Sequence, residues 1–437
     1  MASGRSVKLA LALAAVAALS SSVVRPQELA PDVLLISRIK RHTAQQLARL
    51  PNCACLQTVQ RYRKPAGGKM RPLDTVRLEV LYEGTRELFA SPGARQFKDQ
   101  HPATFSSSGM IANGFFALYL KSVFVEGGAT YHYQGEANLA GRRQARYDFE
   151  VPVTMGGSTI NMPEGSGTVG LKGSFWADPE SFDVVRLEIH ADQIPPNLPI
   201  SELTMVINYA RTRVGAEEVL LPQSGETRLV KFTGEESLNS TELTHCRSFA
   251  AQSTLSFDAG SPPQADSPRK AVAAHAEAGQ PVAPGLVVAM KLATAITDKM
   301  AVGSLIEGTV AGNVSYRGKV AVAAGATVTG RVRRLERYED EGGYFIVGLE
   351  FTEIESGGAR QRFYADLQDF DSAGAARLMT NSRMQTRSLF DGGKDYKTTE
   401  SVWVTDLPGV GTFFVRGQRL YLPKGFRMVW KTRPLAE

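Results

Sequence analysis

The sequence predicts a mostly β (α+β) protein: an N-terminal curled antiparallel half-barrel with covering helices, then a small all-β barrel-like domain. Three observations carry that expectation. First, GTVGLKGSFWADPESFDVVRLEIHAD, residues 167–192, reads as two long strands around a tight turn. Val185, Leu187 and Ile189 alternate with Arg186, Glu188 and His190, the period of a sheet with one buried and one wet face. Asp178-Pro179 supplies the turn, since Asp favours its first corner and Pro fixes φ at the next. Second, similar short runs recur on both sides of this hairpin. Third, 41 glycines and 22 prolines among 437 residues suit a chain of many strands and turns.

Composition bounds the function. A net charge of +6 is modest, and no concentrated basic stripe of the kind nucleic-acid binders carry is present. Residues 1–25 read as a signal peptide, with Arg5 and Lys8 as the positive region, Leu9 to Leu19 as the apolar core and Ala18-Leu19-Ser20 as the cleavage signal. No later stretch reaches 18 uninterrupted apolar residues, so no integral membrane span is expected in the mature chain. The expected location is outside the cytoplasm: periplasm, cell envelope or secreted. Export gives the cysteines meaning. Cys246 is expected to pair with Cys55 or with Cys53, tying together the two ends of one region. Cys53 and Cys55 are not expected to pair with each other. No His lies in ligand spacing with them, so no metal is expected.

The elements follow in order. Asp32 to Leu50 is an amphipathic helix, with Ile36, Ile39, Thr43, Leu47 and Leu50 on one face, Pro31 before it and Pro51 after it. Strands are expected at Cys55 to Arg63 and Thr75 to Ala90, the latter broken by a Glu83-Gly84 turn. Ser106 to Ser108 offer caps for a second helix over Gly109 to Phe124. That run, GMIANGFFALYLKSVF, is apolar nearly all round and must be buried on most sides. Strands resume at Ala129 to Gln134 and Ala145 to Val153. Within the central hairpin Leu171 and Phe175 share a face, and Gly173 between them leaves room for close approach. Thr204 to Arg213, Glu218 to Pro222, Glu226 to Phe232 and Ser240 to Phe257 complete the first region.

An N-terminal amphipathic helix, long antiparallel strands, an inserted apolar helix and the central GSFWADPESFDVVRLE together resemble the periplasmic lipoprotein-carrier (LolA/RseB-like) half-barrel superfamily. The resemblance covers roughly residues 30–258. It implies a half-barrel whose concave face, covered by helices, takes up acyl chains. The paired cysteines and the extra C-terminal region depart from the plain carriers.

Ala259 to Pro284 is rich in Pro, Ala, Gly and Ser without apolar periodicity, and reads as a linker between a domain over 28–258 and another over 285–437. In the latter, Leu286 to Leu292, Leu305 to Val310, Val320 to Val322, Val328 to Arg337, Tyr344 to Ile354 and Gln361 to Leu367 read as short strands. Glu339 to Gly343 is a hairpin loop. Arg331, Arg333, Arg334 and Arg337 are expected to pair across strands with Glu350, Glu353 and Glu355 on a solvated face. Thr412 to Val415 and Arg427 to Lys431 read as a closing hairpin. Residues 286–367 are similar to the periplasmic β-barrel domain of the membrane-bridging type IV secretion subunit.

No catalytic constellation stands out. Gly165, Gly167 and Gly170 fit a dinucleotide-binding spacing, but a strand follows where a helix is needed. The histidines show no metal spacing. The expectation is a non-enzyme without cofactor that binds an apolar or lipid-like ligand, or lipoprotein acyl chains, in the concave face of its first sheet. The lining is expected to be Met110, Ile111, Phe115, Leu118, Leu171, Phe175 and Trp176. The competing expectation is an envelope scaffold or secretion-associated protein that binds an envelope partner.

Overall fold

The computed structural model describes residues 30–249, 279–370, 376–378 and 408–434, with short breaks at 85, 95–96, 98, 100–101, 106–109, 163 and 340–341. The expected signal peptide, and all of the expected linker before residue 279, lie outside the described residues.

Helix α1 (Pro31–Arg49) is followed by β1 (Cys53–Lys64), β2 (Arg71–Glu83) and β3 (Arg86–Ala90). After α2 (Leu118–Phe124) come β4 (Thr130–Leu139), β5 (Arg142–Val151), β6 (Ser158–Met162), β7 (Gly165–Ala177) and β8 (Val184–Asp192). β9 (Ile200–Val214), β10 (Glu217–Lys231) and β11 (Glu236–Ser248) complete an eleven-stranded curled sheet. Its order is β3-β2-β1-β11-β10-β9-β8-β7-β5-β4, with β6 added to β7. Pro222 does not split β10 into two strands as its sequence suggests; it sits at a register shift against β9, where its missing N–H is tolerated.

β3 and β4 are consecutive strands yet occupy opposite ends of this order. The chain between them crosses the concave face, and the apolar run 110–124 lies on that crossing. Only Leu118–Phe124 of the run is helical, which corrects the expected helix over 109–124. The physical reason is local. Gly114 adopts φ +86, outside the helical region, and residues 110–114 run as irregular chain. The orphaned N–H groups of Gly114 and Phe116 donate instead to the Glu87 carboxylate, at 2.7 and 2.9 Å.

α1 closes the same face from the other side. Ile39 and Thr43 are buried and Ile36 and Leu47 partly so, as the stripe predicts. Asp183 anchors the helix at the sheet: His42 Nε2 lies 2.8 Å from its Oδ1, and Arg211 donates to it twice, at 2.8 and 2.9 Å. The preceding turn forms as expected, with Asp178 Oδ1 accepting from the N–H groups of Glu180 and Ser181, each at 2.9 Å.

The second sheet has ten strands. In chain order the strands after residue 278 are β12 (Gly279–Pro281), β13 (Val287–Leu292), β14 (Ile296–Thr297), β15 (Leu305–Val310), β16 (Val314–Tyr316), β17 (Lys319–Val322) and β18 (Thr327–Tyr338). β19 (Tyr344–Ser356), β20 (Ala359–Arg362), β21 (Ala365–Phe370), β22 (Ala376–Leu378), β23 (Val410–Arg416), β24 (Tyr421–Leu422) and β25 (Arg427–Thr432) follow. The main path runs β12-β20-β19-β18-β15-β13-β25-β21, and β23 pairs back onto β19, making the layer barrel-like. β23 and β25 do not form the expected closing hairpin; each pairs with a strand distant in sequence. Residues 279–281, expected within the linker, already pair with β20.

The two sheets share one continuous apolar cluster reaching from Cys53, Val76 and Tyr82 to Met290, Leu349 and Trp430. Main-chain bonds join them too: Val302 N donates to Thr75 O at 2.8 Å, and Arg77 N donates to Val302 O at 2.9 Å. Beside this seam two ion pairs face each other. Arg61 grips Asp74 through Nε (2.6 Å) and Nη2 (2.5 Å), and Arg334 Nη2 and Tyr338 Oη both donate to Glu336 Oε2 at 2.7 Å. All five side chains are buried. Arg334 is therefore core, not part of a solvated ladder. Of the expected cross-strand pairs, Arg333–Glu350 forms at 2.5 Å, while Arg337 pairs with Glu339 at 3.7 Å. Burial pushes the Asp74 carboxyl above its ordinary range despite the guanidinium beside it.

Removing one member of such a pair strands a charge in the interior. Arg61→Met is expected to cost about 3–5 kcal/mol, seen as a lower urea midpoint at unchanged slope. Adding Asp74→Leu should restore most of the loss. A single variant within 1 kcal/mol of the parent contradicts this account.

Candidate functional site

Register places one row of inward residues across eight strands: Phe149, Gly173, Ile189, Met205, Thr227, Asn239, Arg61 and Asp74. The row is apolar on β5, β8 and β9, and polar from β10 onward. The ionic end meets the second sheet. The apolar end bounds a half-open cavity of about 190 Å³ between the sheet, the crossing segment and β6.

Met110, Ile111, Leu118 and Leu171, four of the residues expected to line a hollow, do line this cavity. Phe115 and Phe175 lie in the adjoining apolar cluster, with Phe175 stacked on Tyr147 at 5.3 Å and edge-on to Phe124 at 4.8 Å. Trp176 does not belong to the lining. Adjacent strand residues point to opposite faces, so with Phe175 inward Trp176 stands on the outer face. There it sits between Arg146 and Arg186, whose guanidinium carbons lie 5.4 and 5.7 Å from its ring. The expected lining includes Trp176, whereas the strand's own alternation puts it on the face opposite Phe175.

Three polar clamps hold the crossing segment. Asn239 Nδ2 donates to Met110 O at 2.7 Å, Tyr209 Oη donates to Phe115 O at 3.1 Å, and Glu87 receives the two N–H groups already described. The ring of Phe115 rests against Gly225, where an added Cβ would lie 2.6 Å from Cε1. Gly225, not Gly173, makes room for the cover. A Cβ at Gly173 would instead meet Glu188 O of the neighbouring strand at 1.9 Å. Glu87, Gly225, Thr227 and β6 were not legible as parts of the site, because none belongs to an apolar pattern.

Burial pushes the Glu87 carboxyl above the usual range, outweighing the two N–H donors that pull it down. Burial first, and then Glu87, raise the Tyr119 phenol at the cavity wall to about 12, against the lowering effect of its bond to Ser158. Among the described residues no cluster of three or more metal-ligating side chains occurs. A second hollow, of about 170 Å³, lies by the seam and includes Arg61 and Asp74 in its wall. Those two charges already satisfy each other.

Cys55 and Cys246 form a disulfide across a 191-residue separation, joining β1 to β11. Cys53 is free and buried, and burial raises its thiol to about 11.

No family model matches the chain, and no curated protein matches it. Among solved structures it is similar to a domain described as an outer membrane lipoprotein-sorting protein from Vibrio parahaemolyticus, at 12% identity and a TM-score of 0.26, covering 50% of this chain and 93% of that one. It is also similar to a LolA superfamily protein from Nitrosomonas europaea, at 11% identity and a TM-score of 0.24, covering 49% and 94%. A DUF1329 family protein from Desulfovibrio piger matches at 12% identity and a TM-score of 0.26, covering 50% and 95%. The resemblance of residues 286–367 to a type IV secretion subunit has no support. Among the described residues no helix is long and apolar enough to cross a membrane.

Two outcomes test the site's framework. Folding disfavours the ionised form of Glu87. The stability contributed by its protonated form is complete below the ordinary value of 4.5 and is lost as pH rises through the higher folded value. Between about pH 4 and about pH 8 the melting temperature of Glu87→Gln should therefore rise relative to the parent. A constant difference over that range refutes the assignment. Thiol titration should find Cys53 unreactive in the native protein and one thiol per chain after unfolding without reductant. Reaction of the native protein at the rate of an exposed thiol would contradict the burial of Cys53.

Proposed function

We propose that this chain is an exported, non-enzymatic binding protein of the cell envelope. Its half-barrel takes up the apolar chain of a lipid or of a lipoprotein. The observation that carries the reading is the half-open cavity walled by Met110, Ile111, Leu118, Leu171, Ile189 and Met205. Such a site works by removing hydrocarbon from water, at about 0.8 kcal/mol per methylene. Six methylenes would supply about 5 kcal/mol before the cost of ordering the chain.

Phe115 is fully packed, so charging it would test folding and not binding. Ala191, half-buried in the cavity wall, is the better position. Ala191→Trp is expected to weaken uptake of N-phenylnaphthylamine about tenfold or more, a loss of at least about 1.4 kcal/mol, while the melting temperature stays close to that of the parent. Organic extracts of the purified parent should contain lipid by mass spectrometry. A parent protein that neither carries lipid nor takes up the probe ends this reading.

A further inference from the structure

Thr227 occupies the point on the inward row where apolar residues give way to polar ones, between Met205 on β9 and Asn239 on β10's other neighbour, β11. It lines the cavity and is 1% exposed. Its hydroxyl finds no protein hydrogen-bond partner among the described residues. The next inward residue, Asn239, is committed: its amide donates to Met110 O. Buried hydroxyls are nearly always satisfied, and an unsatisfied one is costly to keep dry. Thr227 thus places a buried, unpaired hydroxyl in the cavity wall beside Met205.

The rest of the lining fixes the charge of that occupant. Asn113, Tyr119, Ser158, Thr159 and Asn161 are the other polar members, and no residue of the lining is Lys, Arg, Asp or Glu. A carboxylate or phosphate drawn into this space would lose its hydration with no counter-ion in the wall. An ester or alcohol oxygen would lose far less and would meet a hydroxyl able both to donate and to accept.

We infer that Thr227 is a specificity-determining residue. Through its hydroxyl the cavity prefers a chain bearing an uncharged oxygen, an ester or alcohol, over a plain hydrocarbon chain. This inference rests on the cavity-binding reading above and adds the chemical class of the ligand.

Displacement of N-phenylnaphthylamine by methyl decanoate and by n-undecane, two chains of similar length, tests it. Thr227→Val preserves shape and removes the hydroxyl; Thr227→Ser preserves the hydroxyl. Thr227→Val is expected to weaken methyl decanoate about 5- to 10-fold, the scale of one hydrogen bond, and to leave n-undecane within about twofold. Thr227→Ser should discriminate between the two ligands as the parent does. If Thr227→Val changes both ligands equally, or neither, the inference falls while the cavity reading stands. If the parent fails to bind the probe at all, both fall.

Discussion

The strand order imposes one constraint on which the rest depends. β3 and β4 follow each other in the chain but lie at opposite ends of the same sheet, so the intervening chain has to traverse that sheet. Traversing the convex face would expose the most apolar stretch of the protein to water. Traversing the concave face buries it, at about 1.5–3 kcal/mol for each large side chain. The hollow is thus never empty; the question is how completely one crossing segment can fill it. A mostly non-helical segment and a two-turn helix leave a residual space against β7, β8 and β9, and that space is the candidate site.

The other end of the hollow is closed by different chemistry. The inward row passes from Ile189 and Met205 through Thr227 and Asn239 to Arg61 and Asp74. At this end the second sheet supplies Arg334, Glu336 and Tyr338, and the four charges balance. A buried ion network of this kind contributes little net stability compared with an apolar interface, yet it tolerates few alternative arrangements. The Val302 main-chain bonds to β2 join the two sheets beside this network. Those bonds also cover part of the open edge of β2, which would otherwise offer unpaired N–H and C=O groups to another chain.

Much of this architecture was legible in the sequence because period-2 alternation and helical stripes record which face is buried. The central hairpin, α1 and most strands of both sheets follow from that record alone. Its failures have common causes. The run 109–124 is uniformly apolar, and uniform hydrophobicity carries no period, so the Ser106 to Ser108 caps and the apolar run suggest a longer helix than Gly114 and Glu87 allow. Glu87 acts from a strand remote in sequence, and no local pattern marks such a partner. Trp176, expected in the lining, stands on the opposite face, as strand alternation requires once Phe175 points inward. The pairing of β23 and β25 with distant strands depends on tertiary closure, and proximity in sequence misleads there.

Whether the ligand proposed above requires the cover to lift is decided by magnitudes. The crossing segment buries Ile111, Phe115 and Phe116 to within 2% exposure, worth about 5 to 9 kcal/mol together. Four hydrogen bonds to Glu87, Asn239 and Tyr209 add about 1 kcal/mol each. Lifting the whole segment would consume a free energy comparable with the total stability of an ordinary domain. The mouth needs no such motion: Leu118 is 48% exposed, and Thr159 and Asn161 opposite it are exposed as well. Entry past Leu118, with only side-chain rearrangement, is therefore the route the energetics favour. For the apolar chain proposed above, that route runs inward along Leu171 and Ile189 toward Met205 and Thr227.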